Sequence, residues 1–96
     1  MFLSVVACFR NESHILKEWI EHYLDEGVDQ IILCANRNDD DYKHITDQYD
    51  NIIMYTDDSA SIQLTCTPPH NKYGTNIYSK MINENESEWF IIVDVD

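Results

Sequence analysis

The chain has 96 residues, of which 44% are apolar and 11% aromatic, and it carries a formal charge of −12. That length fits one domain, and the apolar content is too high for intrinsic disorder. Six Lys and Arg residues, scattered singly among 18 acids, argue against a phosphate-gripping nucleic-acid surface and favour cations as ligands.

Phe2 to Cys8 is a short apolar run rich in β-branched residues, which predicts a buried strand. It is too short, and lacks the basic flank, to be a signal segment ending at Cys8. Asn11 is then expected as a helix N-cap, with Glu12 in the first turn, where a negative charge suits the helix dipole. Ile15, Leu16, Trp19, Ile20, Tyr23 and Leu24 fall on one helical face, and Gly27 stands where a left-handed C-cap belongs. Gln30 to Ala35 predicts a second strand. After the polar stretch NRNDDD comes a weaker helix with Tyr42, Ile45 and Tyr49 on one face, then a third strand over Asn51 to Tyr55. A long loop with Pro68 and Pro69 precedes a third helix marked by Tyr73, Ile77, Met81 and Ile82, and Glu88 to Val95 predicts the closing strand.

Strands and helices alternate, and the strands are continuous apolar runs. Together these predict a Rossmann-like α/β domain: a parallel sheet in the order 3-2-1-4 with helices on both faces. In that order the ends of strands one and four flank a switch point, where ligands bind beyond the carboxyl ends of the strands. The loop Phe9, Arg10, Asn11, Glu12 and the acids Asp94 and Asp96 are expected around that crevice. Strand four, with Trp89 to Val93, is expected as an exposed edge prone to self-association.

Residues i and i+2 of a strand share a face about 6.5 to 7 Å apart, so Asp94 and Asp96 are expected on one side and Val93 and Val95 on the other. Hard carboxylate oxygens in such a pair suit Mg2+ or Mn2+ bridging to a diphosphate. A lone D-x-D is more often surface decoration; its position at the tip of an apolar strand aimed at the switch point raises it. Only two glycines occur, and no glycine-rich phosphate loop is present, so a diphosphate would depend on the metal. The run Asn36 to Asp47 has Asp41 where a calcium loop needs glycine, and His14, His22, His44 and His70 lack metal-ligand spacing. The three cysteines, Cys8, Cys34 and Cys66, have no C-x-x-C spacing, so a reducing, cytoplasmic location is expected rather than a disulfide framework. No stretch reaches the roughly 18 apolar residues of a membrane span. A receiver-like phosphotransfer domain would need more acids after strand one than Glu12.

The stretch ACFRNESHILKEWIEHYLDEGVDQIILCANRNDDD, followed by WFIIVDVD, resembles glycosyltransferase family 2-like proteins of GT-A fold, including the related family 92 type. Arg10, Asn11 and Glu12 match the first motif. Glu18, Trp19, His22, Gly27, Val28 and Asp29 match the helix and its exit, and Trp89, Asp94 and Asp96 match the metal motif. The resemblance implies a nucleotide-sugar donor, UDP- or GDP-linked, with Phe9 to Glu12 lining its pocket. It places Asn36 and Asp40 near the base or ribose, Asp94 on the ribose or a metal-bound water, and Asp96 on Mn2+ or Mg2+. Read from the residues alone, Asn11 is expected first as a cap, and Trp19 and His22 as packing residues. Ala35 departs from the family, which has an aspartate there. The family also continues into an acceptor-binding half that carries the catalytic base, so this chain is expected to be a donor-binding fragment with little hexosyltransferase turnover of its own. The alternative is a non-catalytic module that pairs through its edge strand.

Overall fold

The computed structural model describes residues 1–57 and 72–95, with the backbone alone for 72–76. The elements run β1 (Leu3–Phe9), α1 (Ser13–Asp25), β2 (Gln30–Ala35), α2 (Lys43–Thr46), β3 (Ile52–Thr56), α3 (Lys72–Asn83) and β4 (Trp89–Ile92). The four strands form one parallel sheet in the order β3-β2-β1-β4, so the chain is Rossmann-like α/β, as its alternation predicts. The long loop with Pro68 and Pro69, the side chain of Tyr73, and Cys66, His70 and Asp96 lie outside the described residues.

Side chains alternate across each strand, and this divides the core in two. Val5, Ala7, Phe9, Ile31, Leu33 and Ala35 point to one face, where Leu16, Trp19 and Ile20 of α1 and Ile45 of α2 cover them. Val6, Ile32 and Cys34 point to the other, where Ile77 and Met81 of α3 pack. Met81 is fully buried, and burying a side chain of that size contributes about 1.5–3 kcal/mol. The second helix is shorter than expected: α2 is a single turn that holds Ile45 but neither Tyr42, its N-cap residue, nor Tyr49, although both rings still pack against the α1-side cluster. Ser4 is buried, and its hydroxyl donates to Gln30 Oε1 at 2.9 Å, so it sits in the strand without an unpaired polar atom.

The exit of α1 follows its sequence closely. Gly27 takes φ 98°, its N–H donates to Leu24 O, and Val28 N–H donates to Tyr23 O. This pair of bonds is the Schellman arrangement, and it turns the chain straight into β2.

Two further expectations are corrected. Asn11 is not the cap: α1 begins at Ser13, Glu12 is the flanking residue rather than part of the first turn, and Asn11 sits at φ 53°. Its side chain is drawn away by the loop after β2. The closing strand also ends early, at Ile92 rather than Val95. The last ladder bond runs from Val93 N–H to Val6 O, and then the Trp19 indole takes the Asp94 carbonyl at 3.0 Å and leads the chain off the sheet edge. Val93 and Val95 turn to the α1-side cluster while Asp94 stays exposed; the expected pairing of Asp94 with Asp96 on one side lies outside the described residues.

β4 is the exposed edge that the strand order requires. Trp89, Ile91 and Ile92 keep 60%, 44% and 54% of their surface in solvent, beside exposed Met1 and Phe2. Among the described residues, the sheet is therefore covered on both faces only over its inner part.

Candidate functional site

The order β3-β2-β1-β4 sets the carboxyl ends of β1 and β4 side by side, with α1 packed on one face of the sheet and α3 on the other. Three connections end here: the loop from β1 to α1, the loop after β2, and the segment after β4.

The first two are tied together. Asn11 N–H donates to Asn38 Oδ1 at 2.6 Å, and Asp39 N–H donates back to Asn11 Oδ1 at 2.8 Å. Asn38 Nδ2 also reaches the Phe9 carbonyl at 3.2 Å. The left-handed backbone of Asn11 makes the reciprocal pair reachable, and asparagine tolerates that conformation better than most residues. Asp40 completes the tie. Its Oδ2 accepts from Ser13 N–H at 3.1 Å, so a residue from the next loop caps α1. The hydrogen bonds from Ser13 hold the Asp40 carboxyl below its ordinary range, against the effect of burial. Asp40 Oδ1 is withheld from solvent with no hydrogen-bond partner among the described residues.

The remaining expected site residues are placed as follows. Phe9 is buried, with its ring edge-on to Tyr42 at 5.2 Å, and only its backbone faces the loops. Its position in β1 points the ring into the α1-side core. Arg10 is exposed, and Glu12 is half-buried with its carbonyl accepting from Ile15 N–H at 3.0 Å. Asn36 is buried. Its N–H donates to Phe9 O at 2.9 Å and its Nδ2 to the Asp57 carbonyl at 2.7 Å, which fastens the exits of β1, β2 and β3 to one another. The structure therefore brings Phe9, Asn11, Asn36 and Asp40 into one loop scaffold.

Asp94 stands apart from it. With Ile15, Glu18, Trp19, His22, Tyr23 and Val95 it lines a groove of about 400 Å³ along α1, and none of Phe9 to Glu12, Asn36 or Asp40 lines that groove. Trp19 is a packing residue as expected; His22 is exposed and meets the Tyr23 ring edge-on at 5.0 Å. Among the described residues no set of three or more His, Cys, Asp and Glu side chains converges on a point. One or two carboxylates are nevertheless enough for Mg2+ or Mn2+ when diphosphate oxygens and waters complete the shell, and Asp94 is an exposed hard oxygen donor of that kind.

A further cluster lies on the α3 side. Cys8 and Cys34 are partners in the β1–β2 register, and Tyr78 of α3 stands over Cys8. Hydrogen bonding with Cys34, and then with Tyr78, lowers the Cys8 thiol below its ordinary range, against burial and the charge of Asp57. Burial first, and then the Cys8 charge, pushes the Tyr78 hydroxyl far up; the Asp94 carboxylate adds to the rise, so its charge reaches this side of the crevice. The signal for this pair was present in the sequence, because each cysteine is the residue before the last in its strand.

Neither a protein-family model nor a curated protein matches the chain.

Proposed function

We propose that this chain is the donor-binding half of a metal-dependent glycosyltransferase of the GT-A type. It would take a UDP- or GDP-linked sugar, with Asp94 and Asp96 holding Mn2+ or Mg2+ against the diphosphate and the Phe9 to Glu12 backbone, Asn36 and Asp40 framing the nucleoside. The metal, when bound, supplies neutralisation of a leaving diphosphate. One observation supports the reading: β4 lies next to β1, the neighbour that a switch point needs, and Asp94 stands exposed two residues past its end, although the groove it lines runs along α1 rather than along the β1 loop. No base for the acceptor hydroxyl stands out among the described residues, so binding is expected with little turnover.

Calorimetric titration with UDP and with GDP, with and without manganese, on wild type, Asp94→Asn and Asp96→Ala tests it. Manganese-dependent binding that either variant abolishes supports the reading. Binding indifferent to manganese, or no binding to wild type, refutes it.

The exposed edge favours a second reading, a non-catalytic module that pairs with a second copy of itself. Antiparallel self-pairing centred on Phe90 and Ile91 would set Trp89 opposite Ile92 and Glu88 opposite Val93, leaving no like charges face to face. Light scattering would then give a dimer for wild type and a monomer for Ile92→Lys; a wild-type monomer at high concentration eliminates this reading.

A further inference from the structure

The in-register cysteines have a chemistry independent of nucleotide-sugar binding. Cys8 and Cys34 sit opposite each other on neighbouring parallel strands and point to the same face, beneath α3. Neighbouring strands lie about 4.8 Å apart, which is within the Cα separation a disulfide spans. Cys8 is half-buried and so open to a small reagent, whereas Cys34 is fully buried directly beside it.

We propose that Cys8 and Cys34 form a reversible dithiol site, oxidised by a peroxide to an intrachain disulfide that ties the exits of β1 and β2. The Cys8 thiolate attacks one peroxide oxygen; the O–O bond breaks, Cys8 becomes a sulfenic acid, and the departing oxygen leaves as water once protonated. The Cys34 sulfur then attacks the Cys8 sulfur. The S–S bond forms, the S–O bond breaks, and the hydroxide leaves as a second water with the Cys34 proton. Two thiols and one hydrogen peroxide thus give one disulfide and two waters. Tyr78 and Cys34, both hydrogen-bonded to Cys8, favour the thiolate that starts the sequence.

Geometry makes the bond a labile one. Because both Cα–Cβ bonds point at α3, the Cβ atoms stand about a strand spacing apart, beyond the roughly 3.5–4.5 Å a relaxed disulfide takes. Closing it draws the two strand ends together and stores strain, and strained disulfides are easily reduced. Each cysteine lies next to the last residue of its strand, so the pull passes directly to Phe9 and Ala35 and into the loops that Asn11 and Asn38 join.

The test uses the whole chain. Purified protein is treated with one equivalent of hydrogen peroxide, denatured, alkylated with N-ethylmaleimide, digested and analysed by mass spectrometry, with and without dithiothreitol. Of the three cysteines, two should stop reacting together with loss of two hydrogen atoms. The linked peptides should carry Cys8 and Cys34, Cys66 should remain alkylated, and dithiothreitol should restore all three. In Cys34→Ser, Cys8 should instead halt as a sulfenic acid that dimedone traps. Linkage of Cys8 to Cys66, a bond between two chains, or oxidation of Cys8 beyond the sulfenic acid with Cys34 still alkylatable would each overturn the proposal.

Discussion

Replacing Asn11 separates two roles that its position near a helix start confuses. In Asn11→Ala the backbone bond to Asn38 Oδ1 survives, but the Oδ1 that accepts from Asp39 N–H at 2.8 Å is lost. A neutral bond of this kind contributes about 0.5–1.5 kcal/mol, and exposure of the pair places it toward the lower end. Alanine must also hold φ 53°, where a Cβ without a compensating side-chain bond costs about 1 kcal/mol more. The sum is about 1.5 kcal/mol, a fall in Tm of about 6–12 °C for a domain of this size. Asn11→Gly loses the hydrogen bond but not the conformation, so about a third of that loss is expected. Were Asn11 an N-cap, glycine would cost only a few tenths of a kcal/mol. Urea denaturation followed by the fluorescence of buried Trp19 and by circular dichroism measures all three proteins. Equal losses in the alanine and glycine variants would refute the conformational part, and an alanine variant as stable as wild type would refute the bridge altogether.

Asp40 gives a pH signature. Its folded carboxyl titrates below the ordinary 3.8, so its contribution is fully present above that pH and is lost as the pH falls through the lower folded value. The stability gap between wild type and Asp40→Asn should therefore be present at pH 7 and close below about pH 3.8 in urea titrations; a gap that does not change with pH contradicts the cap. Gly27→Ala meets nothing within 4 Å of the added Cβ, so its cost is purely that of φ 98°, about 1–2 kcal/mol by the same denaturation assay. A neutral result would mean that the exit of α1 relaxes without penalty.

Most of the sheet was legible because its residues leave few alternatives. Val5, Val6, Ile31 and Ile32 have nowhere to go but a core covered on both faces, and Gly27 marks the exit of α1 by conformation alone. The start of α1 was not legible, since the cap comes from Asp40, which no local window includes. For the same reason Asn11 looked like a cap when its partners are Asn38 and Asp39. The end of β4 was set by an indole from α1 competing for a carbonyl, a contact between Trp19 and Asp94 across most of the chain. Of the site, Asn36 and Asp40 were expected near the β1 loop only through the family resemblance, and their hydrogen bonds to Asp57 and Ser13 were not foreseen. The separate groove beneath Asp94 was not foreseen either, because it depends on where the chain bends after Ile92.

β1 lies inside the sheet, yet one of its two neighbours is the fourth of the described strands in chain order: Leu3 pairs with Trp89, and Val6 with Ile92. During synthesis β1, α1, β2 and β3 can assemble early, while one flank of β1 stays open until residues 89–92 emerge. A four-residue strand held through one short ladder should leave before its longer neighbours. Amide protons of β4 are therefore the ones expected to exchange soonest among the four strands, which makes that flank the natural gate through which the domain begins to unfold.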